Sequence, residues 1–296
     1  MKPIRAWLMA ARPATLSAAV VPVLVGTALA FRDVPLNAVA FAAALAGAMG
    51  LQIGTNLAND YFDWKSGADN AGRLGPVRVT QSGLIPPRKV IAAAWICFGM
   101  ATICGVVLIA IAGWPIAVLG LLAIAAGVLY TGGPFPYGYR GLGDAICFLF
   151  FGVAAVGVSY FVQTGTVTLP VLAASVPVGL TVTAILVVNN IRDIDTDRAA
   201  GKRTLAVILG RRASRIQYGA FLIGALAAPP LFGAAGLLPA HGALTLFSIP
   251  LVPGLLRAVA TRVDGPSLNA ALRGTARFHL VFGAMFAIGI LLGDVG

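Results

Sequence analysis

Residues 90–132 read VIAAAWICFGMATICGVVLIAIAGWPIAVLGLLAIAAGVLYTG, without a single charged side chain. A helix needs about 18 or more mainly apolar residues to cross a bilayer, and this run holds two such lengths, 90–111 and 114–132, parted at Gly113. Outward from it, comparable blocks occupy 14–31, 37–58, 142–163, 170–190, 216–237, 242–260 and 277–293. The chain is 59% hydrophobic and 10% charged, against about 25% charged in soluble domains. The expected fold is all-α: a polytopic integral membrane bundle of nine transmembrane helices. One domain, 1–296, accounts for the whole pattern, since no stretch resembles a linker or a soluble module.

The first block follows Lys2, Arg5 and Arg12, as a secretory signal would, but Pro13 and Pro22 interrupt it and no small-x-small cleavage site follows. It reads as a retained helix. The net charge of +11 is not a nucleic-acid footprint. With nine spans, the N-terminus and the loops after helices two, four, six and eight hold every Lys and Arg of the 21 except Arg32. That asymmetry is the positive-inside bias. It places those segments in the cytoplasm and the C-terminus near Asp294 outside, with the chain in the cell (inner) membrane. A nucleic-acid partner would need a soluble basic face, and none is present. Cys97, Cys104 and Cys147 lie within apolar blocks and read as small hydrophobes. His241 and His279 form no ligand pair with each other or with a cysteine.

All ten acidic residues are Asp, and six lie in two short segments, Asp60, Asp63 and Asp69 in one and Asp193, Asp195 and Asp197 in the other. Each segment begins in the last turn of an expected helix, the second and the sixth, so both point to the same side. Asn56, Asp60 and Asp63 fall at i, i+4 and i+7; Asn189, Asp193 and Asp197 fall at i, i+4 and i+8. Either set forms one helical stripe, while Asp195 points away. Polar loops are common, but two Asn-x-x-x-Asp stripes at matching helix ends argue for a shared role. Carboxylates at helix C-termini oppose the macrodipole, and two of them about 4 Å apart repel by about 4 kcal/mol at an effective dielectric near 20. A cation relieves both. Oxygen donors without Cys or His suit Mg²⁺, usually held by one or two carboxylates with water and phosphate. Lys65, Arg73, Arg78 and Lys202 flank the stripes and suit a diphosphate. Arg211, Arg212 and Arg215 are assigned to topology.

The run 56–83, with Asn-Asp-Tyr-Phe-Asp and Arg73-Leu-Gly-Pro-Val-Arg78, resembles the first motif of the UbiA superfamily of membrane prenyltransferases. The run 189–207 resembles its second motif. Arg12-Pro-Ala-Thr-Leu, Tyr130-Thr-Gly-Gly-Pro and Tyr139-Arg-Gly-Leu-Gly-Asp144 are similar to the branch acting on 1,4-dihydroxy-2-naphthoate in menaquinone synthesis. The resemblance implies nine helices around a central cavity open laterally to membrane lipid. It implies Mg²⁺ held by Asp60, Asp63, Asp193 and Asp197 with Asn56 and Asn189. The implied partners are a polyprenyl diphosphate and an aromatic acid acceptor, and the implied reaction is decarboxylative prenyl transfer giving demethylmenaquinone. Other acceptors, such as a 4-hydroxybenzoate, or a phytyl donor, belong to related branches.

Within that reading, Tyr61, Tyr130, Phe135, Tyr137 and Tyr139 are candidates to shield an allylic cation, and Arg12 or Arg140 to hold the acceptor carboxylate. Ala46, Gly50 and Gly54 form a small-x-x-x-small ladder for tight helix packing. A divalent cation transporter is the non-enzymatic alternative, but it would place its carboxylates near the midplane rather than beside basic residues at one face. A lipid-headgroup alcohol phosphotransferase would concentrate its acidic motif in one segment.

Overall fold

The computed structural model describes residues 3–67 and 74–293, and no strand occurs among them. Ten helices follow in order: α1 Pro3–Ala11, α2 Ser17–Asp33, α3 Ala38–Lys65, α4 Pro87–Ala112, α5 Pro115–Leu129, α6 Gly143–Thr164, α7 Leu169–Ala199, α8 Leu205–Ala234, α9 Ala240–Thr261 and α10 Gly265–Leu292. Their ends follow local chemistry. Asn37 caps α3 by accepting from Ala40 N at 3.0 Å, and Asp264 caps α10 by accepting from Ser267 N at 2.8 Å. Pro87 and Pro115 sit in first turns, where no backbone N–H is needed.

Each of the nine expected apolar blocks falls on one of α2 to α10. By length and apolarity, seven described helices can cross a membrane, or eight if Pro3–Thr15 and Ser17–Asp33, bent by 47°, form one broken span. The fourth expected span is the exception. α5 has 15 residues, about 22 Å at 1.5 Å per residue, short of a hydrocarbon core of about 30 Å. Length and composition therefore do not reach the count of nine.

Lipid offers apolar surface everywhere, so helices associate in it by close packing rather than by escape from water. α3 lies along α4 through glycines: an added Cβ at Gly50 would meet Cys97 O at 3.0 Å, and one at Gly54 would meet the Phe98 ring at 2.7 Å. The ladder expected at Ala46 runs instead through Gly47, because Ala46 is exposed while Gly47 faces Cys104. α6 and α7 touch backbone to backbone, with Gly152 and Gly179 so close that a Cβ on the first would stand 2.6 Å from Cα of the second. A large buried cluster joins α2, α6, α7, α8, α9 and α10, and a smaller one joins α1, α3, α4 and the loop at Val79 and Ile85. The C-terminal tips of α3 and α7 lie at one end of the bundle. At the other end, Arg32 Nη1 donates to Ile290 O at 3.1 Å and Tyr160 to Asp33 at 2.5 Å. Arg32 therefore lies at the end of the bundle away from the acidic tips.

Candidate active site

Helices α2 to α7 enclose a cavity of about 390 Å³. Much of its wall is Ala and Gly: Ala18, Ala19, Ala44, Gly47, Ala48, Ala101, Gly105, Gly120, Ala123, Ala126 and Gly127. Small side chains leave the volume open, and Phe150 and Phe151 enter it from a π-helical stretch of α6, Phe148–Ala154. Such stretches redirect side chains at functional sites. The other end of the cavity is polar. α3 contributes Gln52, Asn56, Asn59 and Asp63, and α7 contributes Asn189, Asn190, Asp193 and Asp197.

Asp63 is the hub. Its Oδ2 accepts from Arg78 at 3.0 Å, and its Oδ1 accepts from Tyr139 Oη at 2.5 Å and from Lys202 Nζ at 3.0 Å. The same ammonium lies 4.0 Å from Asp197 Oδ1 and 4.5 Å from the Tyr139 ring centroid. The two acidic stripes, far apart in sequence, thus converge on one lysine. Arg203 N donates to Tyr139 O at 2.9 Å, which fixes the tyrosine against the loop after α7. Asp63, Arg78 and Lys202 are all buried, where a carboxylate is tolerable only with such partners.

The second stripe is organised from behind. Arg192 donates to both oxygens of Asp193, Nε to Oδ1 at 2.8 Å and Nη2 to Oδ2 at 2.5 Å, and also to Asn189 Oδ1 at 2.8 Å. Asn190 donates to buried Asp144, which Gln217 of α8 also holds at 2.8 Å. Asp195 faces outward as expected, its side chain 71% exposed and paired with Arg211.

Arg12 enters the cavity from a break between α1 and α2. It is the one non-glycine residue among those described with positive φ, 53°, a conformation costing about 1–2 kcal/mol. α3 supports the break: Asn56 Nδ2 donates to Ala11 O at 3.0 Å and Gln52 Nε2 to Thr15 O at 3.5 Å. Tyr130, Tyr137 and Tyr139 also line the cavity. Burial pushes the Tyr137 phenol above its ordinary value, so it remains a donor to Ala126 O at 2.9 Å.

Several expected site residues lie elsewhere. Asp60 does not line the cavity; its carboxylate accepts from Val79 N at 3.2 Å and Thr80 N at 3.0 Å, pinning the loop that carries Arg78. Lys65 is exposed beyond it. Arg140 turns away and lies 3.9 Å over the half-exposed Phe135 ring. Tyr61 packs against Phe62 and Trp64. Arg73 and Asp69 fall outside the described residues. Asn59 and Gln52 were missed in the sequence, although both stand at helical spacing from Asn56 and Asp63.

Among the described residues no three carboxylate, His or Cys side chains gather tightly enough to hold an ion by themselves. The oxygens available are Asp63, Asp193, Asp197 and the Asn side chains on the same wall. That set suits a hard cation held by one or two carboxylates and completed by phosphate.

Residues 19–283 match the model of the UbiA prenyltransferase family. The chain is 36% identical over 294 residues to 1,4-dihydroxy-2-naphthoate octaprenyltransferase of Escherichia coli (strain K12), covering 97% of this chain and 96% of that protein. It is 38% identical over 306 residues to the Mycobacterium tuberculosis protein of the same name, covering 98% of each. In fold it is similar to the apo structure of a UbiA homolog from Aeropyrum pernix K1, with a TM-score of 0.70 at 17% identity over 93% of this chain and 97% of that one. A UbiA homolog from Archaeoglobus fulgidus bound to DMAPP and Mg²⁺ gives 0.61 at 13% identity, covering 95% and 99%. The motifs, the helical cavity and these matches agree: the chain is an integral membrane protein and belongs to the UbiA prenyltransferase family.

Proposed function

We propose that this protein transfers a polyprenyl group from its diphosphate to 1,4-dihydroxy-2-naphthoate, with Mg²⁺ and with loss of CO₂. The active-site end faces the cytoplasm in this reading, and the tail of the donor runs into the small-residue part of the cavity. One observation carries it: Lys202 stands between Asp63 and Asp197 at the polar end of an otherwise apolar chamber. A cation pathway would not set Arg78 and Lys202 in its mouth. A diphosphate with a long hydrocarbon tail needs both ends of this cavity.

Asp63, Asp193, Asp197, Asn56 and Asn189 are the proposed holders of Mg²⁺, which when bound neutralises diphosphate charge as the allylic C–O bond breaks. Asp60 is better placed as a loop anchor. Arg78 and Lys202 neutralise the departing diphosphate, which leaves with the bonding electron pair. The faces of Tyr130, Tyr137 and Tyr139 shield the allylic cation in a site with little water. Arg12 holds the acceptor carboxylate. The ring carbon bearing that carboxylate supplies the electrons for the new C–C bond, and departure of CO₂ returns its electron pair to the ring. Both hydroxyls are kept, so the immediate product is the quinol whose oxidised form is demethylmenaquinone.

The test uses protein purified in detergent with Mg²⁺, an octaprenyl diphosphate and a panel of aromatic acids that includes 4-hydroxybenzoate. Mass spectrometry is expected to find one prenylated, decarboxylated naphthalenediol. A full rate after chelation, or a product from 4-hydroxybenzoate alone, overturns the assignment.

A further inference from the structure

Arg192 is 0% exposed, and a guanidinium in such a place needs its N–H groups answered. Two of its nitrogens serve Asn189 and Asp193 as described. The third, Nη1, donates to Asn269 Oδ1 at 2.6 Å. Asn269 belongs to α10, remote in sequence from both acidic stripes. The other end of the same amide, Nδ2, donates to Leu74 O at 2.9 Å, at the start of the described loop that follows the first stripe. α10 can approach this closely because residue 265 is glycine; a Cβ there would stand 2.8 Å from Leu74 O. The amide orientation is set by its partners, since a swapped Asn269 would oppose N–H to N–H and carbonyl to carbonyl.

The loop is therefore held on both sides of Arg78. Asn269 anchors it at Leu74, and Asp60 anchors it at Val79 and Thr80. Between these anchors Arg78 reaches Asp63. We propose that Asn269 is a positioning residue for the diphosphate site. By its oxygen it fixes the guanidinium that orients Asn189 and Asp193, and by its nitrogen it fixes the loop that delivers Arg78. Only an amide does both: a carboxylate would serve Arg192 but repel the Leu74 carbonyl, and an apolar side chain would serve neither. This rests on the prenyl-transfer reading, because it assigns those groups to diphosphate and its cation.

Calorimetry of Mg²⁺ with inorganic pyrophosphate, on the full chain in detergent, separates the two. Asn269→Ala is expected to weaken pyrophosphate binding about 10-fold or more, the usual range for groups that orient ligands to a metal. Asn269→Asp, which keeps the arm to Arg192, is expected to lose less. In turnover, Asn269→Ala is expected to raise KM for the prenyl diphosphate and leave KM for the acceptor unchanged. A merely structural lesion would shrink the active fraction and move neither constant. Wild-type affinity in Asn269→Ala overturns the proposal; if that variant fails to fold, wild-type affinity in Asn269→Asp does so. A parent protein that binds no Mg²⁺–pyrophosphate overturns the prenyl-transfer reading itself.

Discussion

The tips of α3 and α7 carry the same Asn-x-x-x-Asp spacing and are wired in opposite ways. At α3 the hub, Asp63, meets partners from three other parts of the chain: Arg78 in the following loop, Tyr139 between α5 and α6, and Lys202 after α7. At α7 the carboxylate of Asp193 is clamped by its own neighbour, Arg192, which is steadied by α10. One tip gathers its partners from loops, and the other is set by helices. In the proposed reaction, a diphosphate between them would meet the cations gathered at the first tip and the oxygens of the second.

The comparison is broken most severely at Asp63. Asp63→Ala leaves Arg78 and Lys202 buried without their shared counter-charge, which costs about 3–5 kcal/mol of stability. Asp63→Asn keeps the shape, and its activity is expected to fall by about 10³-fold, the upper range for loss of a charged transition-state contact. The assay is initial rate at saturating Mg²⁺, with the unfolding midpoint measured in parallel. A fall of only a few-fold would mean the hub is structural.

Lys202→Met comes next. It removes the group that joins the two tips, and a fall of about 10²-fold in kcat/KM for the prenyl diphosphate is expected. KM for the acceptor should not move, because Arg12 and not Lys202 is assigned to the acceptor. Equal effects on both substrates would show that Lys202 holds the cavity together rather than the diphosphate.

Asp60 sharpens the contrast, and it also marks how far the sequence could be read. Hydropathy located α2 to α10 because lipid imposes one strict demand on composition, and it passed over the short α1, which lies before the first apolar block. It did not fix α5, whose 15 residues are apolar enough but too few. Helical periodicity found the acidic tips and the outward turn of Asp195 but not the cavity's bearing on α3. At about 100° per residue, Asp63 lies about 20° to one side of Asn56 and Asp60 about 40° to the other. The cavity takes the side of Gln52, Asn59 and Asp63, and the spacing alone leaves that choice open. Nor could spacing show that Asn269, in a different helix, completes the second stripe. Asp60→Asn keeps one acceptor for the Val79 and Thr80 amides, so a loss of only about 10-fold in rate is expected, far smaller than the loss in Asp63→Asn. Were Asp60 a metal ligand, the two Asn variants would fall together.

The smallest effects are expected at the basic residues that the sequence grouped with the site and the fold does not. Lys65 is exposed past the end of the stripe, and Arg140 rests on Phe135 outside the cavity. Exposed changes of this kind usually stay within about 0.5 kcal/mol, so Lys65→Gln and Arg140→Gln are each expected to keep the rate within about 2-fold. The pair is informative because both residues lie close in sequence to groups of large effect, Lys65 to Asp63 and Arg140 to Tyr139. A place in or beside a motif is common to all four; a side chain in the chamber is not. If neutralising Lys65 raised KM for the prenyl diphosphate by 10-fold, long-range attraction at the membrane face would outweigh contact, and raising ionic strength should then produce the same rise in the parent protein.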